Sequence, residues 1–300
     1  MRSVTVIMPA RNAAATIRRA LDSVLAQRSP APAAVVVVDD GSTDGTASVV
    51  RATYGDRVCV LRREPRGRAA ARNAALAIAE TDLVAFLDAD DLWLGGHLRA
   101  LVAPLLSDRR VALAYGRHVV RSAARERESR TPPLSGRLRG ADLLRFRPWT
   151  GAVVVRRDAL LEIGGFDESL ETGEDVKAWL SLALRWPVRF VDAVVAVYNR
   201  RALPASHQVA RMKDMLRVLE WLRRAAGRRS GIPRWAFKAR RAVHMLRAAR
   251  RLAFERGVAA ALDLWRRAAR EAPWWPEVWI ARFAFARARA IITRHGLESV

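Results

Sequence analysis

The sequence predicts an α/β fold with a mostly parallel central sheet flanked by helices, followed by an α-helical C-terminal extension. Short apolar runs alternate with helical patterns over the first hundred residues, which is typical of a parallel α/β sheet. Polar side chains gather where the apolar runs end, as expected for a sheet that binds ligands at its carboxyl edge. From about Val209 the chain becomes helical and rich in Arg and Trp, which predicts the extension.

Four apolar runs predict the first strands of this sheet. They lie at residues 4–8, 35–38, 58–61 and 83–87. The second run is valine throughout, as expected for a strand buried on both faces. Residues at one-face helical spacing predict a helix between the first two runs, and they are Ile17, Ala20, Leu21, Val24 and Leu25. A further helix is predicted over residues 68–80.

The pattern becomes less regular beyond residue 110. Strands are predicted at residues 111–115 and 151–155. The charged segment 121–140 between them contains Pro and Gly and is predicted to be a mobile loop. Glu174 then begins an amphipathic helix, whose inward residues are Val176, Trp179, Leu180, Ala183 and Leu184.

A boundary near Leu203 and Pro204 divides the chain into an α/β domain at residues 1–205 and a basic helical region at residues 206–300. The tryptophans of this region are Trp221, Trp235, Trp265, Trp274, Trp275 and Trp279. Such helices can lie on an anionic membrane, with aromatic rings at the interface and arginines on phosphates. They can equally pack as an ordinary helical subdomain, and both interpretations stay open.

Composition narrows the class of protein. The 300 residues include 53 Lys and Arg against 30 Asp and Glu, a formal net charge of +23. This charge attracts phosphates, anionic lipids and acidic polymers. Nearly all the cations are Arg in an Ala-rich chain, and no module that reads nucleic acid accompanies them. No nucleic-acid partner is predicted.

Cysteine content and hydropathy bear on the compartment. The single Cys59 excludes an intramolecular disulfide, which fits a reducing cytoplasm, and its place in a predicted strand suggests a core thiol. No secretory signal opens the sequence, and no run of about 18 apolar residues predicts a membrane span. We expect a cytoplasmic protein, with peripheral contact at the inner face of the plasma membrane as the alternative for the basic region.

The acidic cluster Asp88-Ala89-Asp90-Asp91 follows the fourth predicted strand. Carboxylates two positions apart can hold a hard divalent cation that also keeps waters and phosphate oxygens. A solvated acidic turn is the alternative, and on the motif alone the two are evenly balanced. The position directly after an apolar strand favours a metal, and Asp91 is predicted to cap a following helix.

Other polar groups stand at the same predicted edge. Residues 9–12 follow the first strand, Asp39 and Asp40 follow the second, and Arg72 lies in the helix before the fourth. Asp-Gly-Ser is also ordinary turn chemistry, so the Asp pair can simply cap a helix. Acids at the start of the 174 helix are likewise favoured by the helix dipole alone.

Six sequence blocks together resemble the family 2 inverting glycosyltransferases, which have the GT-A fold. The blocks are residues 6–12, 20–27, 35–46, 67–76, 86–93 and 164–175. They occur in order and at the family's spacing, and the resemblance covers roughly residues 3–200. One such block is a weak signal, whereas six in succession are specific.

The resemblance implies a sugar transfer from a nucleotide-diphosphate donor, with a UDP-sugar expected. The acceptor is expected to be a glycan or a lipid-linked molecule of cell-envelope or exopolysaccharide synthesis. Mn²⁺ or Mg²⁺ is the expected cofactor. Residues 1–205 are then the catalytic domain, and the carboxylate that acts as general base removes the acceptor's proton as its oxygen attacks the anomeric carbon.

The resemblance also implies roles for individual residues. The expected nucleotide-binding residues are Pro9, Ala10, Arg11, Asp39, Asp40, Arg72, Asp88 and Ala89. Among them Arg72 is expected to face the donor phosphates, where a guanidinium suits an anion, and Asp88 to contact the ribose. Asp90 and Asp88 are the expected metal ligands. Asp175 matches the family's catalytic base, with Glu174 as the alternative.

Some features depart from the family pattern or compete with it. Arg11 stands where an aromatic residue is common in the family, which weakens the prediction of which nucleobase the donor carries. His207 is interpreted as a surface or packing residue, the alternative being a place near the diphosphate.

A sugar nucleotidylyltransferase is disfavoured because Pro9-Ala-Arg-Asn replaces a glycine-rich loop. A non-catalytic nucleotide-sugar-binding or basic scaffold protein stays open, although every acid that the chemistry needs is present.

Overall fold

A computed structural model describes residues 4–200, 205–227 and 231–274 of the chain. The chain separates into two compact units, Met1–Arg201 and Ala202–Val300. The first unit is α/β, and the described part of the second is helical. The predicted α/β fold with a helical C-terminal extension is confirmed.

Among the described residues, nine strands of the first unit form one sheet. They are β1 (Val4–Ala10), β2 (Ala34–Asp40), β3 (Cys59–Arg63), β4 (Leu83–Phe86), β5 (Leu92–Trp93), β6 (Leu113–Arg121), β7 (Glu126–Glu128), β8 (Val153–Arg156) and β9 (Val188–Asn199). Their order is β3-β2-β1-β4-β8-β6-β9-β5, with β7 paired to β6. Strands β3, β2, β1, β4, β6 and β9 run in one direction, and β8, β5 and β7 oppose them.

Helices cover both faces of this sheet. They are α1 (Ile17–Leu25), α2 (Thr46–Tyr54), α3 (Arg68–Ile78), α4 (His97–Ser107), α5 (Ala141–Arg145), α6 (Arg157–Glu162) and α7 (Glu174–Arg185), with 3₁₀ turns at Gly55–Arg57 and Thr150–Ala152. As predicted, α1 buries one apolar stripe of four residues, Ile17, Ala20, Leu21 and Val24. The central strands β1 and β4 are buried along their length, because helices cover them on both sides.

Two predictions about the strands of the first unit are wrong. Cys59 is exposed because β3 is the terminal strand of the sheet order and has a partner along only one edge. The segment 121–140 is not wholly a loop, since β7 pairs antiparallel with the end of β6 and Gly136 bridges to Val188. Its charged residues do not prevent strand pairing, because they lie on an exposed ribbon.

The second unit contains α8 (Ala205–Ala226), α9 (Arg234–Arg256) and α10 (Val258–Glu271). These helices pack around apolar residues, most of them alanine, namely Met212, Ala242, Met245, Ala248, Ala249, Ala261, Leu264, Ala268 and Ala272. Trp235 and Trp274 are exposed, as is His207 on α8. Trp275 and Trp279 lie outside the described residues. None of the helices described is both long and apolar enough to cross a membrane.

Candidate active site

Two loops at the carboxyl ends of β1 and β2 are locked together by hydrogen bonds. The backbone N–H of Asn12 donates to Ser42 Oγ at 2.9 Å, and the N–H of Thr43 donates to Asn12 Oδ1 at 2.9 Å. Asn12 has a φ of 49°, a left-handed conformation that Asn tolerates better than most residues. The N–H of Ala13 also donates to Thr46 Oγ1 at 2.9 Å. The two loops therefore form one fixed edge of the site.

The residues predicted to contact a nucleobase come together at this edge. Pro9 and Ala10 end β1, and Ala10 lies opposite Asp39 in the register with β2. Arg11 follows them and is exposed. Asp39 is buried, and its Oδ1 accepts a hydrogen bond from the N–H of Ser42 at 3.0 Å. The fold thus places the predicted nucleobase residues side by side.

Asp40 anchors the loop that leads into α3. Its two carboxylate oxygens accept hydrogen bonds from the N–H groups of Arg66 at 3.0 Å and Gly67 at 2.7 Å. Gly41 has a φ of 74°, and a Cβ there would lie 2.7 Å from Cδ of Pro65, so glycine is needed for this approach. Both oxygens of Asp40 therefore hold the backbone of a loop distant in sequence, and the local turn bond of this pair is the one that Asp39 accepts from Ser42.

Arg72 lies beneath the site with its guanidinium turned inward. Its side chain is 1% exposed, with Nη1 2.6 Å from Glu174 Oε1 and Nη2 2.8 Å from Asp88 Oδ1. Its Cζ is 5.5 Å from the centroid of the Phe166 ring, within cation–π range. Burial by itself would lower the pKa of Arg72, but the carboxylates around it, first of all Asp88, raise it. Arg72 is a fixed cation whose bonds go to these acids, whereas contact with donor phosphates was expected.

The two acids at the start of α7 have different surroundings. Glu174 is 2% exposed, and burial together with the charge of Asp175 raises its pKa although Arg72 opposes the rise. Asp175 is only partly buried. Its Oδ2 accepts a hydrogen bond from Thr150 Oγ1 at 2.7 Å, and its Oδ1 accepts one from the N–H of Val176 at 2.7 Å. A base must reach its substrate, so Asp175 suits that role better than the enclosed Glu174.

The acidic cluster Asp88-Ala89-Asp90-Asp91 forms a turn just after β4, closed by a hydrogen bond from the N–H of Asp91 to the carbonyl of Asp88. Asp88 and Asp90 are partly exposed, and Ala89 is buried. The N–H of Asn199 donates to Asp91 Oδ1 at 2.6 Å, and Asn199 Nδ2 donates to the carbonyl of Asp90 at 2.6 Å. The prediction that Asp91 caps a helix is wrong, because β5 follows the turn and α4 begins later.

Two carboxylates of this turn, Asp88 and Asp90, have the oxygen chemistry that Mg²⁺ and Mn²⁺ prefer. Within the described part of the chain, no group of three or more His, Cys, Asp or Glu side chains is arranged to hold a metal ion. An ion here would take its other ligands from water and a bound diphosphate, as Mg²⁺ commonly does. One oxygen of Asp88 bonds Arg72, and its second oxygen could contact an ion. The residues present fit a hard divalent cation.

Asn73 fastens the segment before α7 onto α3. Its Nδ2 donates to the carbonyl of Phe166 at 2.8 Å, and its Oδ1 accepts from the N–H of Phe166 at 2.9 Å. Gly165 has a φ of 71°, and a Cβ there would lie 2.6 Å from Asn73 Oδ1. An ion pair between Asp167 and Lys177 closes the segment onto α7. The second glycine of the Gly-Gly-Phe-Asp block is therefore explained by the close approach of Asn73.

Three contacts of the site were missed by reasoning from the sequence. Thr150 bonds Asp175, and Asn199 bonds the acidic turn. Trp93 Nε1 donates to the carbonyl of Gly151 at 2.9 Å, which links the segment after the turn to the Thr150 segment. Only Trp93 lies in a recognised sequence block. Thr150 and Asn199 carry no charge or spacing that singles them out, because their partners are distant in sequence.

Comparisons with known proteins agree with this arrangement. Residues 5–164 match the family model described as glycosyl transferase family 2. The succinoglycan biosynthesis protein ExoU of Rhizobium meliloti is 33% identical over 230 residues, which cover 71% of this chain and 67% of that protein. The UDP-Glc:alpha-D-GlcNAc-diphosphoundecaprenol beta-1,3-glucosyltransferase WfgD of Escherichia coli is 36% identical over 118 residues, covering 39% of this chain and 46% of that protein.

Solved structures show the same fold. The S. aureus TarS fragment 1–349 in complex with UDP-GlcNAc has a TM-score of 0.65 at 20% identity, covering 98% of this chain and 92% of that one. The mannosyltransferase PcManGT of Pyrobaculum calidifontis, in complex with GDP-Man and Mn²⁺, has a TM-score of 0.59 at 25% identity and covers 97% of this chain and 86% of that one. The predicted GT-A fold is confirmed.

Proposed function

The chain belongs to glycosyl transferase family 2, and from that premise we propose that it transfers a sugar from a nucleotide-diphosphate donor to a hydroxyl acceptor in one inverting displacement. One observation carries the proposal. The helix end that bears Asp175 and the turn that bears Asp88 and Asp90 are held to each other through buried Arg72. A base and a diphosphate-binding turn at fixed separation are what an in-line displacement requires.

In the proposed reaction Asp175 takes the proton of the acceptor hydroxyl as its oxygen attacks the anomeric carbon. The bond from that carbon to the donor's diphosphate breaks, and the nucleotide diphosphate leaves from the opposite face, which inverts the configuration. Glu174 has a different task, because its carboxylate is buried against Arg72. It holds the first turn of α7 in place.

The leaving diphosphate lies, in this proposal, against the Asp88–Asp91 turn. Asp90, with Asp88, would hold Mn²⁺ or Mg²⁺, and such an ion neutralises the charge that develops on a leaving diphosphate. The oxygen donors of the turn support this assignment, as does the Mn²⁺ bound with GDP-Man in the Pyrobaculum mannosyltransferase complex. Arg72 contributes indirectly by fixing the orientation of Asp88.

We further propose a UDP-sugar as donor, bound at the edge formed by Pro9, Ala10, Arg11 and Asp39. The glucosyltransferase WfgD is named for UDP-Glc, and the TarS fragment was solved with UDP-GlcNAc. Arg11 is exposed beside this edge, so its planar guanidinium can stack on a base in place of an aromatic ring. GDP-mannose is the competing donor to test, because the mannosyltransferase complex contains it.

The proposed acceptor is a glycan or a lipid-linked glycan of exopolysaccharide or cell-envelope synthesis. ExoU is named for succinoglycan biosynthesis, and the acceptor in the name of WfgD is a GlcNAc-diphosphoundecaprenol. A diphospho-lipid acceptor would place the reaction at a membrane surface. The proposed location is therefore the cytoplasmic side of the plasma membrane.

We assign the catalytic domain to residues 1–205 and propose peripheral membrane contact for residues 206–300. The ring of Phe254 on α9 is 83% exposed, and Trp235 and Trp274 are exposed as well. Exposed arginines lie on α9 together with Trp235 and Phe254, and they include Arg247 and Arg250. Aromatic rings with arginines suit the interface of an anionic bilayer.

Family membership disfavours the nucleotidylyltransferase alternative, and a non-catalytic nucleotide-sugar-binding protein is the remaining competitor. Turnover separates the two. UDP-glucose, UDP-GlcNAc and GDP-mannose should be tested by thermal shift with and without Mn²⁺, followed by nucleotide release and NMR of the product's anomeric proton. Binding without any transfer would support the non-catalytic alternative. A product that retains the donor's configuration would refute the single displacement.

A further inference from the structure

The 3₁₀ turn Thr150–Ala152 places a hydroxyl against the carboxylate of Asp175. Thr150 is 2% exposed, and its Oγ1 lies 2.7 Å from Asp175 Oδ2. An ionised carboxylate only accepts hydrogen bonds, so the threonine hydroxyl is the donor. The contact joins the chain just before β8 to the first turn of α7, 25 residues further along.

Neighbouring residues restrict where this turn can lie. A Cβ at Gly151 would come within 2.4 Å of the Trp149 indole, so the ring packs directly over the glycine backbone. The indole of Trp93 also donates to the carbonyl of Gly151 at 2.9 Å in a buried hydrogen bond. Trp93 is itself two positions after Asp91. The hydroxyl of Thr150 is thus fixed relative to the acidic turn.

The acids of the site are therefore held by two independent arms. One arm is the Arg72 guanidinium, which bonds Asp88 and Glu174. The other leads from Trp93 through Gly151 and Thr150 to Asp175. Arg72 orients the first residue of α7, but its hydrogen bonds do not reach the carboxylate of the second. That carboxylate takes its orientation from Thr150 and from the N–H of Val176.

We propose that Thr150 is a positioning residue for Asp175, and this inference rests on the proposed role of Asp175 as base. The Thr150 hydroxyl donates to Oδ2 of Asp175. It thereby leaves the remaining lone pair of that carboxylate oxygen directed at the hydroxyl of the acceptor. Asp175 is partly exposed, so without Thr150 the carboxylate would rotate and bond water. A reacting group misplaced by about 1 Å can lower a rate by on the order of 100-fold.

Thr150→Val tests the proposal because valine has the same shape but no hydroxyl. We expect kcat for nucleotide release from UDP-glucose, with a GlcNAc-diphospho-lipid acceptor, to fall by roughly 10- to 100-fold. UDP-GlcNAc and GDP-mannose serve as the donor if UDP-glucose is not turned over. The Kd for UDP should change little, and the melting temperature should fall by no more than it does in the control variant that loses a buried hydroxyl elsewhere. Thr150→Ser retains the donor hydroxyl and should restore kcat towards the wild-type value.

Thr5→Val is a matched control for the loss of a buried hydroxyl. Thr5 is 1% exposed, and its Oγ1 accepts a hydrogen bond from Thr81 near the start of β1, at the opposite end of that strand from the site. This variant should lose stability and keep its kcat. A wild-type kcat in Thr150→Val would overturn the positioning role. A kcat in Thr150→Ser as low as that of Thr150→Val would overturn it as well.

Asp175→Asn separates this inference from the proposed function. If Asp175→Asn still transfers sugar at the wild-type rate, the base assignment fails and the role of Thr150 fails with it. If Asp175→Asn is impaired while Thr150→Val is not, only the positioning role is wrong. Thr150 acts through Asp175, so adding Thr150→Val to Asp175→Asn should lower the residual rate no further.

Discussion

The Arg72 guanidinium and the Glu174 carboxylate form a buried ion pair, with Nη1 and Oε1 2.6 Å apart. Removing one partner of such a pair leaves an uncompensated charge and typically destabilises a protein by about 3–5 kcal/mol. The same guanidinium bonds Asp88, so the disturbance would extend to the acidic turn. The stability of the fold and the position of the acidic turn therefore both depend on the Arg72 side chain.

Arg72→Lys should reduce both the stability of the fold and the rate of sugar transfer. An ammonium is a point charge and cannot bond Asp88 and Glu174 at the same time, as the guanidinium does. We expect a loss of about 1–3 kcal/mol in the free energy of unfolding and a fall in kcat of on the order of 100-fold. Arg68→Lys is the control, since Arg68 is largely exposed and 3.8 Å from Glu174. Denaturant unfolding and nucleotide release measure the two effects. Equal effects of the two substitutions would contradict the importance of the buried pair.

Asp175→Asn and Glu174→Gln distinguish the two adjacent acids. Asp175→Asn should lower sugar transfer by about 10²- to 10⁴-fold, the usual contribution of a general base, and leave the Kd for the donor nearly unchanged. Glu174→Gln can still accept a hydrogen bond from Arg72 and should mainly lower the melting temperature. Rates from coupled nucleotide-release assays, alongside calorimetric donor binding, provide the comparison. The reverse ranking of the two rates would make Glu174 the base.

Asp90→Ala should abolish the effect of Mn²⁺ on nucleotide binding, because it removes a carboxylate from the proposed metal-binding turn. Calorimetric titration of UDP with and without Mn²⁺ gives the measurement. Asp192→Ala is the control, because Asp192 is an exposed carboxylate that pairs with Arg117 on β6. If Asp90→Ala binds UDP as the wild-type protein does in both conditions, the metal assignment is wrong.

His97 should make the stability of the fold depend on pH. It is buried on α4 with Nδ1 3.1 Å from the carbonyl of Val195, and burial lowers the pKa of His97 to about 3. The unfolded state takes up a proton below about pH 6.5 and the folded state does not, so stability is lost as pH falls from 6.5 towards 3. At pH 5 the loss is about 2 kcal/mol.

His97→Gln tests this dependence by urea unfolding at pH 7.5 and pH 5. The variant should be less stable at pH 7.5 but lose less stability on acidification than the wild-type protein does. His118, whose pKa burial and the charge of Arg127 lower to about 4, contributes to the remaining slope. An unchanged slope in the His97 variant would show that this residue is not the source.

Phe254→Ser should weaken binding of the full chain to anionic vesicles of phosphatidylglycerol, because it removes an exposed ring from a basic helix. Flotation at low and high salt measures this, and binding by the wild-type protein should decrease as salt rises. Leu106→Ser on α4 is the matched control, since Leu106 is also an exposed apolar residue. Wild-type protein that fails to float at low salt would refute membrane contact.

Much of the fold could be predicted because its signals are local. The valine run of β2 and the one-face stripe of α1 are each complete within ten residues, and both elements form where the pattern indicates. Cys59 shows where such reasoning ends. A strand's residues do not say whether it will be central or at an edge, so the exposure of β3 depends on the strand order.

The same limit applies to the site. The acids could be found because their sequence blocks match a family, and the structure brings Asp88 and Glu174 to one guanidinium. The inward orientation of Arg72 could not be predicted, because it depends on a carboxylate 102 residues away. Thr150 and Asn199 were missed for a related reason. Thr150 and Asn199 each bond an acidic residue that is distant in sequence. A single sequence does not show which distant residues come into contact.

Asn199 bonds both Asp90 and Asp91, and this contact sets a rule for recombining relatives of this chain. A crossover placed before residue 199 would bring an unselected residue against the acidic turn and would disturb donor chemistry together with whatever was exchanged. A crossover after residue 200 would keep the turn's native support. Chimeras joined there should therefore report on the role of the C-terminal helices, with the contacts of the acidic turn unchanged.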